Sequence, residues 1–473
     1  MKPGTKIIGS KRASSGKHVL LALNHGISIR YLLQTGIYAR MKEQLDKITL
    51  LVPEKNSYLE SLARDSNVEL KVVDSGIPRA YYQRSWWQKV LRQVRLCTYG
   101  GKVTTGRIFR EYYIIDAVRT YGKNNYKGKL DLVLQYLTIM LLIALASRSK
   151  MVRRLILWLE GYFFPSCYED IIKEAGPDIV VTTSMGTFDW DQYVLRAAKR
   201  AGIRTVAVIL SWDNTTTRGY KGAHTDNVVV WSEIMKREVI DYHDMEDHQV
   251  FVGGVALFDE YYKASSSGNG RALLKSKMGV DENKHIIFFA TKSPNGYPWN
   301  PNIVEIIARA INEGKIENSQ LVVRVHPLHY KRANGGYLYQ DVIDAYRRLE
   351  EEYNGIVVIN EPEIGDGGID YVMPEEEISL LAELISNSSV IVNIVSTLNI
   401  EGSILDRPLV NVYFEGKKKF YHFEEKARFN IVSDYKATHN QRIVDYGGIA
   451  IAYSAAQLVE KIVDYLKDRK SVV

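Results

Sequence analysis

The sequence predicts an α/β protein made of two doubly wound, Rossmann-like domains facing each other across a cleft, with a helical basic insertion in the N-terminal domain. Three observations carry this. Short apolar runs alternate with helical patterns in both halves of the chain, which implies parallel sheets. The alternation lapses between residues 77 and 164, where the chain turns basic and aromatic. The length of 473 residues accommodates two large domains.

The first half opens with an apolar strand, His18–Leu23, broken by Asn24-His25-Gly26. A helix is expected over Ile29–Leu45, strands over Lys47–Val52 and Val68–Val73, and a helix between them over Tyr58–Arg64. Past the insertion, Ile179–Thr183 is a strand, Met185–Asp191 a loop and Gln192–Ala201 a helix. The strand Thr205–Leu210 runs into the loop Ser211–Tyr220, and Asn227–Trp231 and Val250–Gly254 complete the strands of this half. Ser232 is the expected cap of a helix reaching about Asp241. Tyr261–Lys277 contains SSSGNG and few apolar residues, so it reads as the interdomain linker. The second half then places strands at His285–Ala290, Gln320–Val325, Gly355–Asn360, Ser389–Ile394 and Leu409–Tyr413, with helices between them. These readings give an N-terminal domain over 1–260, a C-terminal domain over 278–455 and a closing helix over 456–473.

Composition narrows the class. Apolar content of 46% and charged content of 25% are those of an ordinary globular protein. Cys97 and Cys167 are the only cysteines, too few for a disulfide framework or a zinc cluster, and they suit a reducing cytoplasm. The basic N-terminus lacks the apolar core of a secretory signal. The net charge of +7 is unevenly placed: residues 79–154 hold 16 Lys/Arg against three acids, leaving the rest of the chain net acidic. Such a block suits a polyanionic partner or an anionic membrane surface; a solvated helical insertion is the plainer account. Its most apolar run, Leu132–Ala146, has 15 residues, short of the roughly 20 that span a bilayer. A buried core helix or an interfacial helix remains.

Ligands of open α/β sheets sit at the carboxyl ends of strands, where the chemistry of this chain concentrates. The loop after Leu210 carries Trp212, Asp213, Asn214 and Arg218. Asp213, Asp191 and Asp189 follow neighbouring predicted strands, and any of them facing the cleft could deprotonate an acceptor hydroxyl. His25, after the first strand, is a further candidate base. A polar loop with ordinary Asn/Asp turn chemistry is the alternative. In the second half, Arg324 and His326 stand at a strand end stopped by Pro327, a pairing that suits a diphosphate. Ser396-Thr397 begins a helix after a buried strand, and helix N-termini bind phosphate. Glu401 lies one turn further and could reach a ribose hydroxyl. With no HExxH, CxxC pair, Walker loop or GxGxxG, neither metal, redox nor ATPase chemistry is expected.

The order of these motifs resembles the GT-B glycosyltransferases of bacterial surface-polysaccharide biosynthesis, and within them the CDP-glycerol glycerophosphotransferases of teichoic-acid synthesis. Trp212-Asp213-Asn214-Thr215 stands where that class has Trp-His-Gly-Thr. Val228–Ser232, Gly254–Asp259, Arg324–Pro327, Ser396-Thr397 and Arg407-Pro408 follow in the matching order over about residues 178–415. Aspartate at 213 departs from the class histidine and is similar to the sugar-transferring relatives instead. A retaining Glu-x7-Glu pattern would need a glutamate at Asn393, so the resemblance implies inversion. It further implies a metal-independent transfer from a nucleotide-sugar, which is substrate rather than cofactor. The donor would be held by Arg324, His326, Ser396, Thr397, Glu401, Thr291 and Lys292. The acceptor, a surface glycan or lipid-linked glycan, would meet His25, Trp212, Asn214 and Arg218, with Asp213 the first candidate base and Asp191 and Asp189 behind it. No nucleic-acid partner is expected, and the location implied is cytoplasmic, peripheral to the inner face of the cell membrane through residues 79–154. A CDP-polyol phosphate transferase, a sugar-nucleotide 2-epimerase and a catalytically silent glycan- or membrane-binding module are the alternatives.

Overall fold

The fold is that of a computed structural model, which describes residues 16–74, 76, 86–98, 103, 126–163, 167–333, 335–365, 369, 372–417 and 431–468. Seven strands form the first sheet: β1 (His18–Ala22), β2 (Lys47–Val52), β3 (Val68–Val72), β4 (Ile179–Thr182), β5 (Arg204–Val208), β6 (Asn227–Val230) and β7 (Val250–Val252). They lie in the order β3-β2-β1-β4-β5-β6-β7, and every pair is parallel. The second sheet uses β8 (His285–Ala290), β9 (Ser319–Arg324), β12 (Val357–Asn360), β13 (Val390–Asn393), β14 (Leu409–Val412) and β15 (Ala450–Ala452). A short antiparallel hairpin of β10 (Arg332–Ala333) and β11 (Gly336–Tyr337) stands apart. The six strands run in the order β12-β9-β8-β13-β14-β15, again all parallel. Helices cover both faces, which is why the central strands are Val/Ile/Leu runs with no exposed face.

In each sheet the order doubles back at the first strand of the half, β1 or β8, so loops on either side of that strand open a crevice. This switch point fixes where the site can be.

Three expectations are revised. The helix expected over 29–45 is two helices, Gly26–Leu33 and Gly36–Gln44, because Thr35 caps the second through a bond from the Ile37 amide. The stretch 261–277, which joins the two sheets, is helical and not irregular: helices Asp259–Ser267 and Gly270–Met278 occupy it. Tyr261 and Leu274 are buried in the core beneath the second sheet, so two apolar anchors outweigh the serine-rich composition. The strand β15 completes the second sheet past the last strand expected from the sequence.

The insertion contributes helices Trp86–Leu96, Tyr126–Arg148 and Lys150–Tyr162, which share a small core of Val90, Leu91, Val94, Ile143, Ala146 and Ile156. The rest of the basic stretch, apart from Cys97, Thr98, Val103 and Ser149, lies outside the described residues. Among the described residues no helix is long and apolar enough to cross a membrane.

Candidate functional site

The loop after β5 is built tightly. Asp213 precedes a single helical turn, Asn214–Thr217, whose Thr216 and Thr217 amides bond the Asp213 carbonyl at 2.9 Å. The Asp213 carboxylate accepts from Ser211 Oγ at 2.5 Å and Thr217 Oγ1 at 2.9 Å. Burial raises its pKa, but the charges of His439 and Arg218 and these two hydroxyls outweigh burial and hold it below the ordinary carboxylate range. Asn214 and Thr215 are buried under the loop. Trp212 meets His439 of the second half edge to face, with ring centroids 4.7 Å apart.

Arg218 is exposed and lies over the Phe188 ring at 4.7 Å. Phe188 also meets His25, with ring centroids 5.2 Å apart. His25 caps its helix: its Nδ1 accepts from the Ser28 amide at 3.0 Å, so the proton sits on Nε2, which is buried without a partner. Burial, aided by the Arg218 charge, pushes its pKa down to about 4, so the ring is a neutral donor at neutral pH. Asp191 is not at the cleft surface. It is fully buried, takes bonds from Ser184 Oγ at 2.7 Å and Thr183 Oγ1 at 3.2 Å, and is pushed up to about 7 by burial. It also accepts from Asn24 Nδ2 at 3.5 Å. Asp189 begins the helix Asp189–Arg200, and its side chain lies outside the described residues.

On the facing half, Thr291 follows β8, and its Oγ1 accepts from the His326 amide at 2.8 Å. His326 Nδ1 accepts from the Leu328 amide at 3.1 Å, leaving Nε2 protonated; burial and the Lys292 charge hold its pKa near 4. Lys292 pairs with Asp434. Arg324, expected at a diphosphate, turns its guanidinium to Glu377 and to Asn360 Oδ1 at 2.5 Å. Ser396 Oγ accepts from the Leu398 amide at 3.3 Å, whereas Thr397 occupies the cap position with no capping bond. The turn before them holds Val395 at φ 43°, a left-handed conformation that strains a β-branched residue.

Beneath this turn Asn393, Asn399 and Asn411 form a closed, fully buried ring of amides, with bonds of 2.9 Å (Asn393 to Asn399), 3.0 Å (Asn399 to Asn411) and 3.3 Å (Asn411 to Asn393). The ring ties β13, the helix Leu398–Ile404 and β14 together and so sets the position of Ser396-Thr397. Glu401 is raised by burial against the pull of Arg30 and of bonds from Tyr261 and Thr397. Arg30 comes from the first half; its Nε is buried without a partner, and its charge acts on both Glu401 and Arg324.

Two sets of groups therefore meet between the halves. Trp212 and Asp213 face His439, which lies within the field of Lys292, and Arg30 faces Glu401 and Arg324. Sequence reasoning missed Arg30, Tyr261, His439 and the asparagine ring. Among the described residues no group of three or more His, Cys, Asp or Glu is placed to hold a metal ion.

Two parallel Rossmann-like sheets facing across a polar cleft are the GT-B fold, and the chain has that fold. A scan of family models and a search of curated proteins found no match. Among solved structures the chain is similar to a UDP-N-acetylglucosamine 2-epimerase assignment from Listeria monocytogenes, at TM-score 0.51 and 8% identity, covering 97% of this chain and 89% of that one. It also matches UDP-GlcNAc 2-epimerase from Neisseria meningitidis (TM-score 0.48, 10% identity, 96% and 93% covered). A third is the wall teichoic acid polymerase TagF (TM-score 0.44, 9% identity, 96% and 81% covered).

Proposed function

We propose that the protein is an inverting glycosyltransferase that moves a sugar from a nucleotide-sugar to a surface-glycan or lipid-linked acceptor. The observation that supports this most is the contact across the cleft: the Asp213 carboxylate on one side meets His439 on the other, and the Lys292 ammonium acts on both His439 and a neutral, donor-competent His326. In this reading the acceptor oxygen attacks the anomeric carbon and the bond from that carbon to the donor diphosphate breaks. The acceptor proton passes to Asp213. Negative charge leaves on the nucleoside diphosphate, where Lys292, the Nε2–H of His326 and Arg30 meet it. Cationic and N–H donors of this kind can take the place of a metal ion at a leaving diphosphate. His25, with its proton on the unpartnered Nε2, would donate to an acceptor oxygen rather than take a proton.

The test is thermal stabilisation by UDP-, GDP-, CDP- and dTDP-linked sugars. A ligand at 100 times its dissociation constant adds about 2.7 kcal/mol. A clear shift with one nucleotide-sugar that disappears in His326→Ala is the expected result. A preference for CDP-glycerol would move the assignment to polyol-phosphate transfer, and no shift with any nucleotide would overturn the reading.

A further inference from the structure

The first helix of the insertion that faces outward, Tyr126–Arg148, is apolar on two opposite sides. Ile143 and Ala146 point into the small core shared by the three insertion helices. On the other side Val133, Leu137, Leu141 and Leu145 recur every four residues and are all exposed, Leu141 at 60%. The next helix, Lys150–Tyr162, repeats the arrangement. Ile156 is buried, while Met151, Leu155, Trp158 and Tyr162 form a stripe at spacings of four, three and four, with Met151 78% and Tyr162 70% exposed. The Trp158 and Tyr162 rings stack at 5.7 Å at the end of this stripe, and Phe163 adds an edge contact to Tyr162 at 5.5 Å.

A folded helix pair with two outward apolar stripes leaves more greasy surface in water than a chain keeps without use. We infer that these stripes are a docking surface for an anionic lipid bilayer, entered in the plane of the interface and not spanned. The occupant follows from charge. Exposed Arg148, Lys150 and Arg154 stand at the junction and along the second helix, Lys127 and Lys129 lie in the opening turn of the first, and residues 79–154 carry 16 basic against three acidic residues. Anionic headgroups complement this excess, at about 1 kcal/mol per basic residue near the surface. A second copy of the same basic stretch would repel it. Trp and Tyr beside an aliphatic stripe are the side chains that settle at the headgroup level. The span limit agrees, since among the described residues no helix can cross a bilayer. The inference stands on this surface alone, whether or not the cleft transfers a sugar.

The full chain is tested by sedimentation with vesicles of phosphatidylcholine alone and of phosphatidylcholine with about one third phosphatidylglycerol. The expected result is binding to the anionic vesicles that weakens as salt rises. Leu141→Glu with Trp158→Glu should weaken it about tenfold or more, since each exchanges an apolar contact for a charge. Both side chains already point to solvent, so the melting temperature should hold, and a second variant, Leu137→Ser with Leu155→Ser, gives the same readout without added charge. Nucleotide-sugar stabilisation should be unchanged in every stripe variant, which separates failure here from failure of the transfer reading. Absence of wild-type binding to anionic vesicles, equal binding by both stripe variants, or stripe-dependent dimers without lipid would each overturn the inference.

Discussion

Arg95→Met tests how the insertion is fastened to the rest of the first half. Arg95 and Glu160 are both fully buried in their side chains, and Arg95 Nε meets Glu160 Oε2 at 2.9 Å. The other arms of the guanidinium bond Tyr220 O at 3.2 Å and Gln192 Oε1 at 3.1 Å. Removing one partner of a buried ion pair costs about 3–5 kcal/mol, because the other charge stays behind in low dielectric. Glu160 keeps a bond from Gln192 Nε2 at 3.0 Å and a second cation, Arg196 Nη2, at 3.8 Å, so the lower end applies, about 3 kcal/mol. Glu160→Leu combined with Arg95→Met should be less damaging than Arg95→Met alone, since it removes the orphaned charge. Urea denaturation followed by circular dichroism measures both. A loss under about 1 kcal/mol in Arg95→Met, or a double variant worse than the single, would refute the account of a buried pair holding the insertion in place.

Other perturbations have equally defined outcomes. Asn399→Leu removes a shared donor and acceptor from a fully buried amide ring and should cost about 2–4 kcal/mol in thermal melts; a loss under about 1 kcal/mol would show the ring is not closed. His25, His243 and His326, all held near 4 mainly by burial, are neutral when folded but take up protons below about 6.5 when unfolded. Stability should therefore fall as pH drops from about 6.5 toward 4, and a flat melting temperature over that range would contradict their burial. Asp191 acts in the opposite sense: raised to about 7 by burial against about 3.9 unfolded, it costs stability as pH rises between those values, so Asp191→Asn should gain on the wild type above pH 7. Gly219→Ala should destabilise by about 2 kcal/mol or more, because φ is +78° and a Cβ would stand 2.5 Å from Leu96 Cα.

Parallel strands buried on both faces are written as continuous apolar runs, so HVLLA, KITLLV and HIIFFA announce themselves, and the loops after them follow. The same logic put Asp213, His326 and Ser396-Thr397 just past strand ends, where the structure has them. It failed where a residue matters through a partner far along the chain. Arg30 looks like a surface arginine on an amphipathic helix until Glu401 and Arg324 are brought against it. His439 follows no strand, and its place beside Trp212 and Asp213 comes from packing between the halves. The sequence pattern extends the loop to Asp191, but the helix begins at Asp189 and places the Asp191 carboxylate against Ser184. The asparagine ring did leave a trace, an Asn near the end of each of two neighbouring apolar strands, SVIVNI and LVNVY, where a hydrophobe is the default.

The loop bearing Asp213 is held from three directions, and this joins the insertion to the cleft. From the insertion, Arg95 bonds Tyr220 O, and Arg153 pairs with Asp244 at 2.7 Å while Tyr220 Oη donates to the same carboxylate at 2.9 Å. From the helix Glu233–His243, His243 takes the Lys221 amide on Nδ1 at 3.1 Å, so its Nε2–H donates to Thr215 O at 2.9 Å. From the second half, Arg442 reaches Glu238, which also accepts from Thr215 Oγ1, and His439 packs on Trp212. A buried network with this many satisfied partners moves as a unit, because each broken bond leaves a polar group without water. The surface stripes on Tyr126–Arg148 and Lys150–Tyr162 are thus connected to Asp213 through rigid helices and two arginines. If the stripes dock on a bilayer and the cleft transfers a sugar as proposed, the bilayer would fix the direction in which the cleft opens and present a lipid-borne acceptor to Trp212 and Asp213.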